Sequence, residues 1–244
     1  MGRRGRHPRH RFIALLDRMR QSHPQIEQAN GYIAQGHVFV NGVVITNPSA
    51  LVPADASIRL RRRHELRGQT KLVAALSNFD VPTTGRVALD VGASTGGFTV
   101  ALLDAGVARV YAVDAGHGQL LGYLRANRRV VNLENTNIGD VTRRSIPEPI
   151  ELLTVDVSYL SLARLAPQLE VLSISGNADL VALVKPMYEL GLREPPQEEV
   201  ARQKAVELAV AGLEAQGWRL GQTMRSPITG NHGAIEHLIR LHRR

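Results

Sequence analysis

Residues 87–106, VALDVGASTGGFTVALLDAG, constrain this chain more than any other stretch. A run of strand formers reaches Asp90, a glycine-rich turn follows, and apolar residues then recur at helical spacing up to Gly106. A strand that feeds a helix through a tight glycine turn opens a parallel α/β sheet. The alternation starts at residue 71 and runs to the C-terminus. KLVAALSNF, FTVALLDAG, GQLLGYLRAN, LSLARLAPQLEVL and EEVARQKAVELAVAGLEAQG read as helices. RVALDVG, RVYAVD, VVNLE, ELLTVDV, DLVALVKP, WRLGQTM and AIEHLIRL read as strands. Seven strands with interleaved helices predict a doubly wound α/β sheet. The last two strands are joined only by RSPITGNHG, so they form an antiparallel pair at the sheet's edge.

The first 70 residues read differently. Twelve arginines and no lysine stand there against four acidic residues, an excess of eight that equals the net charge of the whole chain. In residues 71–244, 18 basic side chains balance 18 acidic ones. Charge segregated in this way points to a polyanion-binding module joined to a neutral domain. Arginine suits phosphate because its planar fork bonds two oxygens at once. In RFIALLDRM, Phe12, Leu15, Leu16 and Met19 share one helical face. After His23-Pro24, Ile26, Ala29, Tyr32 and Ile33 repeat at helical spacing, with Gly36 as a stop. HVFVNGVVI is a hairpin signal around Asn41-Gly42, and SIRL adds a short strand. The expected layout is an N-terminal unit at 1–62 with a basic tail, a charged linker at 63–70 and an α/β domain at 71–244.

The chain contains no cysteine, which removes disulfides, thiolate metal sites and cysteine nucleophiles from consideration. No apolar run nears the roughly 18 residues of a membrane span, and Phe12–Leu16 falls short of a secretory core, so the reading is cytoplasmic with no membrane role. His232, His237 and His242 recur every five residues, a spacing that suits neither one helix face nor one strand face, and no metal site is expected.

Two cofactor classes fit a strand followed by a glycine turn. The dinucleotide fingerprint needs a tight G-x-G, which the order Gly92, Ala93, Ser94, Thr95, Gly96, Gly97, Phe98 lacks. Asp90 would repel a pyrophosphate and attract the ammonium of a methionine-like group, which favours S-adenosylmethionine. Asp114, closing RVYAVD, is placed to meet ribose hydroxyls in either class.

QANGYIAQGHVFVNG resembles the S4 domain, a small α+β RNA-binding module. That resemblance implies RNA contacts from Arg3, Arg4, Arg6, Arg9, Arg11, Arg18 and Arg20. LDVGASTGGFT is similar to the cofactor loop of FtsJ-like methyltransferases, and the likeness to the TlyA family continues through DAGHGQL, LENTN, DVSYLSL and LVKPMYE. TlyA-like proteins join an S4 domain to a Rossmann-like S-adenosylmethionine-dependent methyltransferase domain, in the order seen here. The family is described as ribosomal RNA ribose 2′-O-methyltransferases acting on cytidine in 16S or 23S rRNA, and it is often labelled hemolysin. Two other readings are a non-catalytic rRNA-binding assembly factor and a membrane-active hemolysin.

The resemblance also implies a Lys-Asp-Lys-Glu set around the acceptor: Lys71 in RGQTKLVAAL, Asp156 in LLTVDVS, Lys185 in LVKP and Glu236 in GAIEHL. Three positions stand out without it. Asp156 and Lys185 each end an apolar strand, where ligands bind in such sheets, and Glu236 sits in an otherwise apolar edge strand. Lys71 opens a helix, where a cation opposes the dipole and calls for a partner. Asn137, after the third strand, is the candidate for the adenine, and His117 and Tyr188 are expected to line the pocket. The chain departs from the family pattern at LRGQTK, at the short acidic loop LGLREPPQEE and at Ala234, where the family carries asparagine.

Overall fold

The computed structural model describes residues 11–26, 29–34, 36–60 and 66–243. Two compact units divide the chain, Met1–His64 and Glu65–Arg244. In the first, β1 (Phe12–Ala14) runs straight into α1 (Leu15–Ser22), followed by α2 (Ala29–Ala34), β2 (Val38–Val40), β3 (Val43–Val44), β4 (Leu51–Pro53) and β5 (Ile58–Leu60). Asn41 and Gly42 both take positive φ, 49° and 87°, as the two-residue turn of a β2–β3 hairpin demands. The helical periodicity from Phe12 was misleading. Ile13 pairs with Val52 across antiparallel β1 and β4, so Phe12 belongs to a strand and is 56% exposed. A non-local ladder has outweighed a local apolar pattern. Ile26 likewise precedes α2 rather than joining it. Leu15, Met19, Ile33, Val38 and Val52 form the core of this unit.

Arg3, Arg4, Arg6 and Arg9, and residues 61–65 of the connector, lie outside the described residues. Arg11 and Arg20 are exposed. Arg18 turns inward, its Nη2 donating to the Ala56 carbonyl at 3.1 Å, which makes it a brace within its own unit.

The second unit comprises α3 (Arg67–Asn78), β6 (Val87–Val91), α4 (Gly97–Asp104), β7 (Arg109–Asp114), α5 (Gly122–Arg125), β8 (Val130–Glu134), β9 (Ile150–Val155), α6 (Leu162–Leu165), β10 (Ile174–Val184), α7 (Pro186–Glu189), α8 (Glu199–Glu214), β11 (Trp218–Arg225) and β12 (His237–Arg243). Seven strands form one sheet in the order β11-β12-β10-β9-β6-β7-β8. The five strands from β10 to β8 are parallel, while β12 runs antiparallel to both β10 and β11. Alternation along β10 sorts the two layers: Leu180, Ala182 and Val184 face α6 and α8, and Val181 and Leu183 face α3 and α4.

Four sequence expectations change. The linker gives way to helix earlier than residue 71, because α3 starts at Arg67 and Lys71 lies in its second turn. GQLLGYLRAN yields only a four-residue helix, since the Gln119 and Leu120 amides bond to the Glu134 carboxylate at 2.6 and 2.9 Å and hold the segment as loop. LSLARLAPQLEVL breaks at Pro167 into α6 and a 3-10 turn, Ala166–Leu169. The last two strands do form the expected antiparallel pair at the sheet's edge, but only β11 is outermost. β12 is inserted beside β10, and Glu236 immediately precedes it rather than lying in an edge strand.

Candidate active site

The sheet winds in opposite directions from β6 and β9, and ligands in open α/β sheets sit beyond the strand ends at such a switch point. A cavity of about 590 Å³ lies there. Its floor is the glycine loop after β6, which contributes Gly92, Ala93, Ser94, Thr95, Gly97 and Phe98. Gly92 has φ of 85°, and a Cβ there would stand 2.5 Å from the Asp156 carbonyl oxygen. Only glycine lets the loop fold flat against the end of β9.

A second close approach brings in α3. A Cβ on Gly97 would meet Gly68 Cα at 2.9 Å, so α3 and α4 touch backbone to backbone at this point. Lys71, three residues after Gly68, is thereby carried to the cavity wall. Its Nζ sits 2.5 Å from Glu236 Oε2, with the two side chains only 7% and 5% exposed. The partner expected for Lys71 is therefore a residue 165 positions away. Arg67 Nη2 donates to the Thr229 carbonyl at 2.5 Å and ties the loop that leads to Glu236 onto α3.

The second acid–base pair lines the same cavity. Lys185 Nζ is 2.5 Å from Asp156 Oδ1, without the alignment of a hydrogen bond, and donates to Ser158 Oγ at 2.6 Å. These side chains are 15% and 21% exposed, more open than the Lys71–Glu236 pair. Lys185 follows β10 as the residue before Pro186, and Asp156 follows β9, so the neighbouring parallel strands bring them side by side.

Asp90, Asp114, Gly96, Asn137 and His117 do not line the cavity, whereas Tyr188 does. Asp90 is fully buried under the loop, where Thr99 Oγ1 donates to it at 2.6 Å and Thr154 Oγ1 at 3.1 Å. Direct contact with a cofactor ammonium is not the role this conformation gives it. Asp114 accepts the backbone amides of Ser94 and Gly116 at 2.7 and 2.6 Å, bracing the loop from β7. Asn137 is exposed at the start of a 3-10 turn. Sequence reasoning passed over Ser158, Gly68, Arg67 and Thr154. Ser158 and Gly68 stood two and three residues from motif positions; the roles of Arg67 and Thr154 exist only across the fold.

Among the described residues, no group of three or more histidines or carboxylates could hold a metal, and no helix is long and apolar enough to cross a membrane. The FtsJ-like methyltransferase family model matches residues 65–243. The chain is 36% identical over 222 residues to a Mycobacterium tuberculosis protein named 16S/23S rRNA (cytidine-2'-O)-methyltransferase TlyA, covering 87% of this chain and 82% of that one. It is 32% identical over 220 residues to Hemolysin A of Brachyspira hyodysenteriae, covering 86% and 91%. A solved structure of a hemolysin-named protein from Streptococcus thermophilus matches with a TM-score of 0.70 at 30% identity, over 95% of this chain and 88% of the other. The site-bearing unit falls almost wholly within the family match, and the chain belongs to the FtsJ-like methyltransferases.

Proposed function

We propose that the protein methylates the ribose 2′-hydroxyl of a cytidine in 16S or 23S ribosomal RNA, using S-adenosylmethionine. The observation that carries the reading is the convergence of Lys71–Glu236 and Lys185–Asp156 on one cavity above a glycine loop. The cavity suits the cofactor. Its volume of about 590 Å³ lies in the range of small-molecule sites, and its floor offers backbone that no Cβ obstructs at Gly92. Bound there, S-adenosylmethionine supplies a methyl group on a positively charged sulfur. The relative from M. tuberculosis, named for cytidine 2′-O-methylation, supports the acceptor.

A ribose hydroxyl is a weak nucleophile, so it needs alignment and a route for its proton. We assign Lys185 to hold the 2′-oxygen, because Nζ is fixed between Asp156 and Ser158 at the mouth of two strands. Lys185 stays an ammonium throughout: Nζ would give one of its protons to the Asp156 carboxylate as it takes the proton of the attacking 2′-hydroxyl, so that proton ends on Asp156 while the cofactor would supply the methyl group. Lys71 and Glu236, buried and paired, position the ribose and keep the tetrad's formal charge at zero. The basic N-terminal unit, with its S4-like sequence, serves as the RNA-binding part, and ribosomal subunits in the cytoplasm are the setting this reading implies.

The test is methyl transfer from labelled S-adenosylmethionine to ribosomal subunits and to free rRNA lacking the modification, with Lys185→Ala as control. Label resisting alkali at one nucleotide, and lost in the variant, is the expected result. No label, with cofactor still bound, would overturn the catalytic reading in favour of an assembly factor.

A further inference from the structure

Asp90 and Thr154 are directly opposite each other on the parallel strands β6 and β9, and both are fully buried on the face covered by α4. Thr154 Oγ1 donates to one Asp90 oxygen at 3.1 Å, while Thr99, in the first turn of α4, donates to the other at 2.6 Å. Asp156 follows two residues further on, just past the end of β9, and its amide bonds to the Val91 carbonyl at 2.9 Å. One buried carboxylate thus ties together the strand that presents the acceptor acid, the strand that launches the glycine loop and the helix that ends it.

We propose that Thr154 is a positioning residue that holds Asp90 as an anion beneath the glycine loop, so that Asp90 favours the cofactor's positive charges from below the floor rather than by contact. The inference rests on S-adenosylmethionine being the cofactor.

Charge chemistry makes this assignment testable. Burial pushes the Asp90 carboxyl from an ordinary 3.8 up to about 7, against the pull of the Thr99 and Thr154 hydroxyls. Asp156, at the end of β9 and paired with Lys185, pushes it further up. From α4 the facing group is Thr99, and from β7 the residue in register is Ala112, neither of which titrates in this range. A ligand bearing an ammonium and a sulfonium favours the anion. Cofactor binding below neutrality therefore releases a proton, and affinity rises with pH by up to about tenfold per unit until Asp90 is ionised.

The experiment is S-adenosylmethionine affinity by titration calorimetry from pH 5.5 to 8.5, in buffers of different ionisation enthalpy. The proteins are the unaltered chain, Thr154→Val, Thr154→Ser and Asp90→Asn. Removing one hydroxyl donor from a buried anion corresponds to a shift of about one pH unit. We expect the midpoint to move up by that amount in Thr154→Val, to return in Thr154→Ser, and to vanish in Asp90→Asn. An unmoved midpoint in Thr154→Val, or an unchanged transition in Asp90→Asn, overturns the proposal. Should Asp90→Asn fail to fold, the Val–Ser pair decides alone. Binding with no methyl transfer to rRNA would sink the acceptor assignment and leave this inference standing. No binding by the unaltered chain would sink both.

Discussion

The Lys71–Glu236 pair permits a prediction that separates chemistry from architecture. The ion pair is 2.5 Å long and its side chains are 7% and 5% exposed, so each charge depends on the other for compensation. Removing one partner strands a buried charge, at a cost of about 3–5 kcal/mol. Replacing both with apolar side chains of similar volume is close to neutral, because the desolvation of two ions is recovered. For a unit of this size each kcal/mol shifts the melting temperature by about 2–4 °C. Lys71→Met alone should therefore lower it by about 6–20 °C, and Glu236→Leu alone by a similar amount. The double variant should recover to within about 5 °C of the unaltered protein. Calorimetry measures the four members of the cycle, and the rRNA methylation assay is run on each at a temperature where all are folded. All three variants should be inactive, the stable double variant included. If the double variant were as unstable as the singles, the two charges would not be compensating each other. If it were stable and active, the pair would be part of the scaffold and its role at the ribose would be wrong.

Lys185→Ala should lower methyl transfer by at least about a hundredfold, the usual scale for a lost acid–base group, with S-adenosylmethionine affinity within a few-fold; parallel turnover and calorimetry check both halves. Gly92→Ala forces an alanine to φ near 85° and drives its Cβ against the Asp156 carbonyl. The cost is roughly 2–5 kcal/mol, and cofactor affinity should fall with it; a normal melting curve would refute the close-packing argument. Glu189 predicts a pH effect on stability. Burial pushes its carboxyl from 4.5 up to about 7 against the Leu162 amide, which donates to it at 2.9 Å. The folded state therefore holds this proton more tightly than the unfolded chain, and stability falls as pH rises from about 4.5 to 7. Denaturant melts across that window should show a shallower fall in Glu189→Gln, which keeps an acceptor for Leu162 and has no proton to lose.

The alternation of apolar strands with helices made the sheet legible, because a parallel strand buried on both faces is a nearly continuous apolar run, in which a polar residue such as Asp90 or Thr154 survives only with a buried hydrogen-bond partner. The residues that directly follow β9 and β10, Asp156 and Lys185, were legible for the same reason: a lone charge after four buried residues must be paired or used. The glycine loop was readable as a cofactor floor, since its sequence limits where side chains stand. Phe12 was misread because three residues satisfy a helical pattern as easily as a strand pattern, and only the β1–β4 ladder decided between them. The loop before α5 escaped for a related reason, since its amides are held by Glu134 from another strand.

Sequence therefore determined the fold class, the loop and the two strand-end charges, all set by short-range pattern and burial. Tertiary structure alone decided that β12 inserts beside β10, that Lys71 finds Glu236, and that Asp90 lies braced by Thr99 and Thr154 beneath the loop rather than open to the cavity. Apart from Asp90–Thr99, nine residues apart, those pairings join residues far apart in the chain, and nothing local encodes which buried charge will meet which partner. The packing of α3 on α4 at Gly68 and Gly97 makes that choice for Lys71.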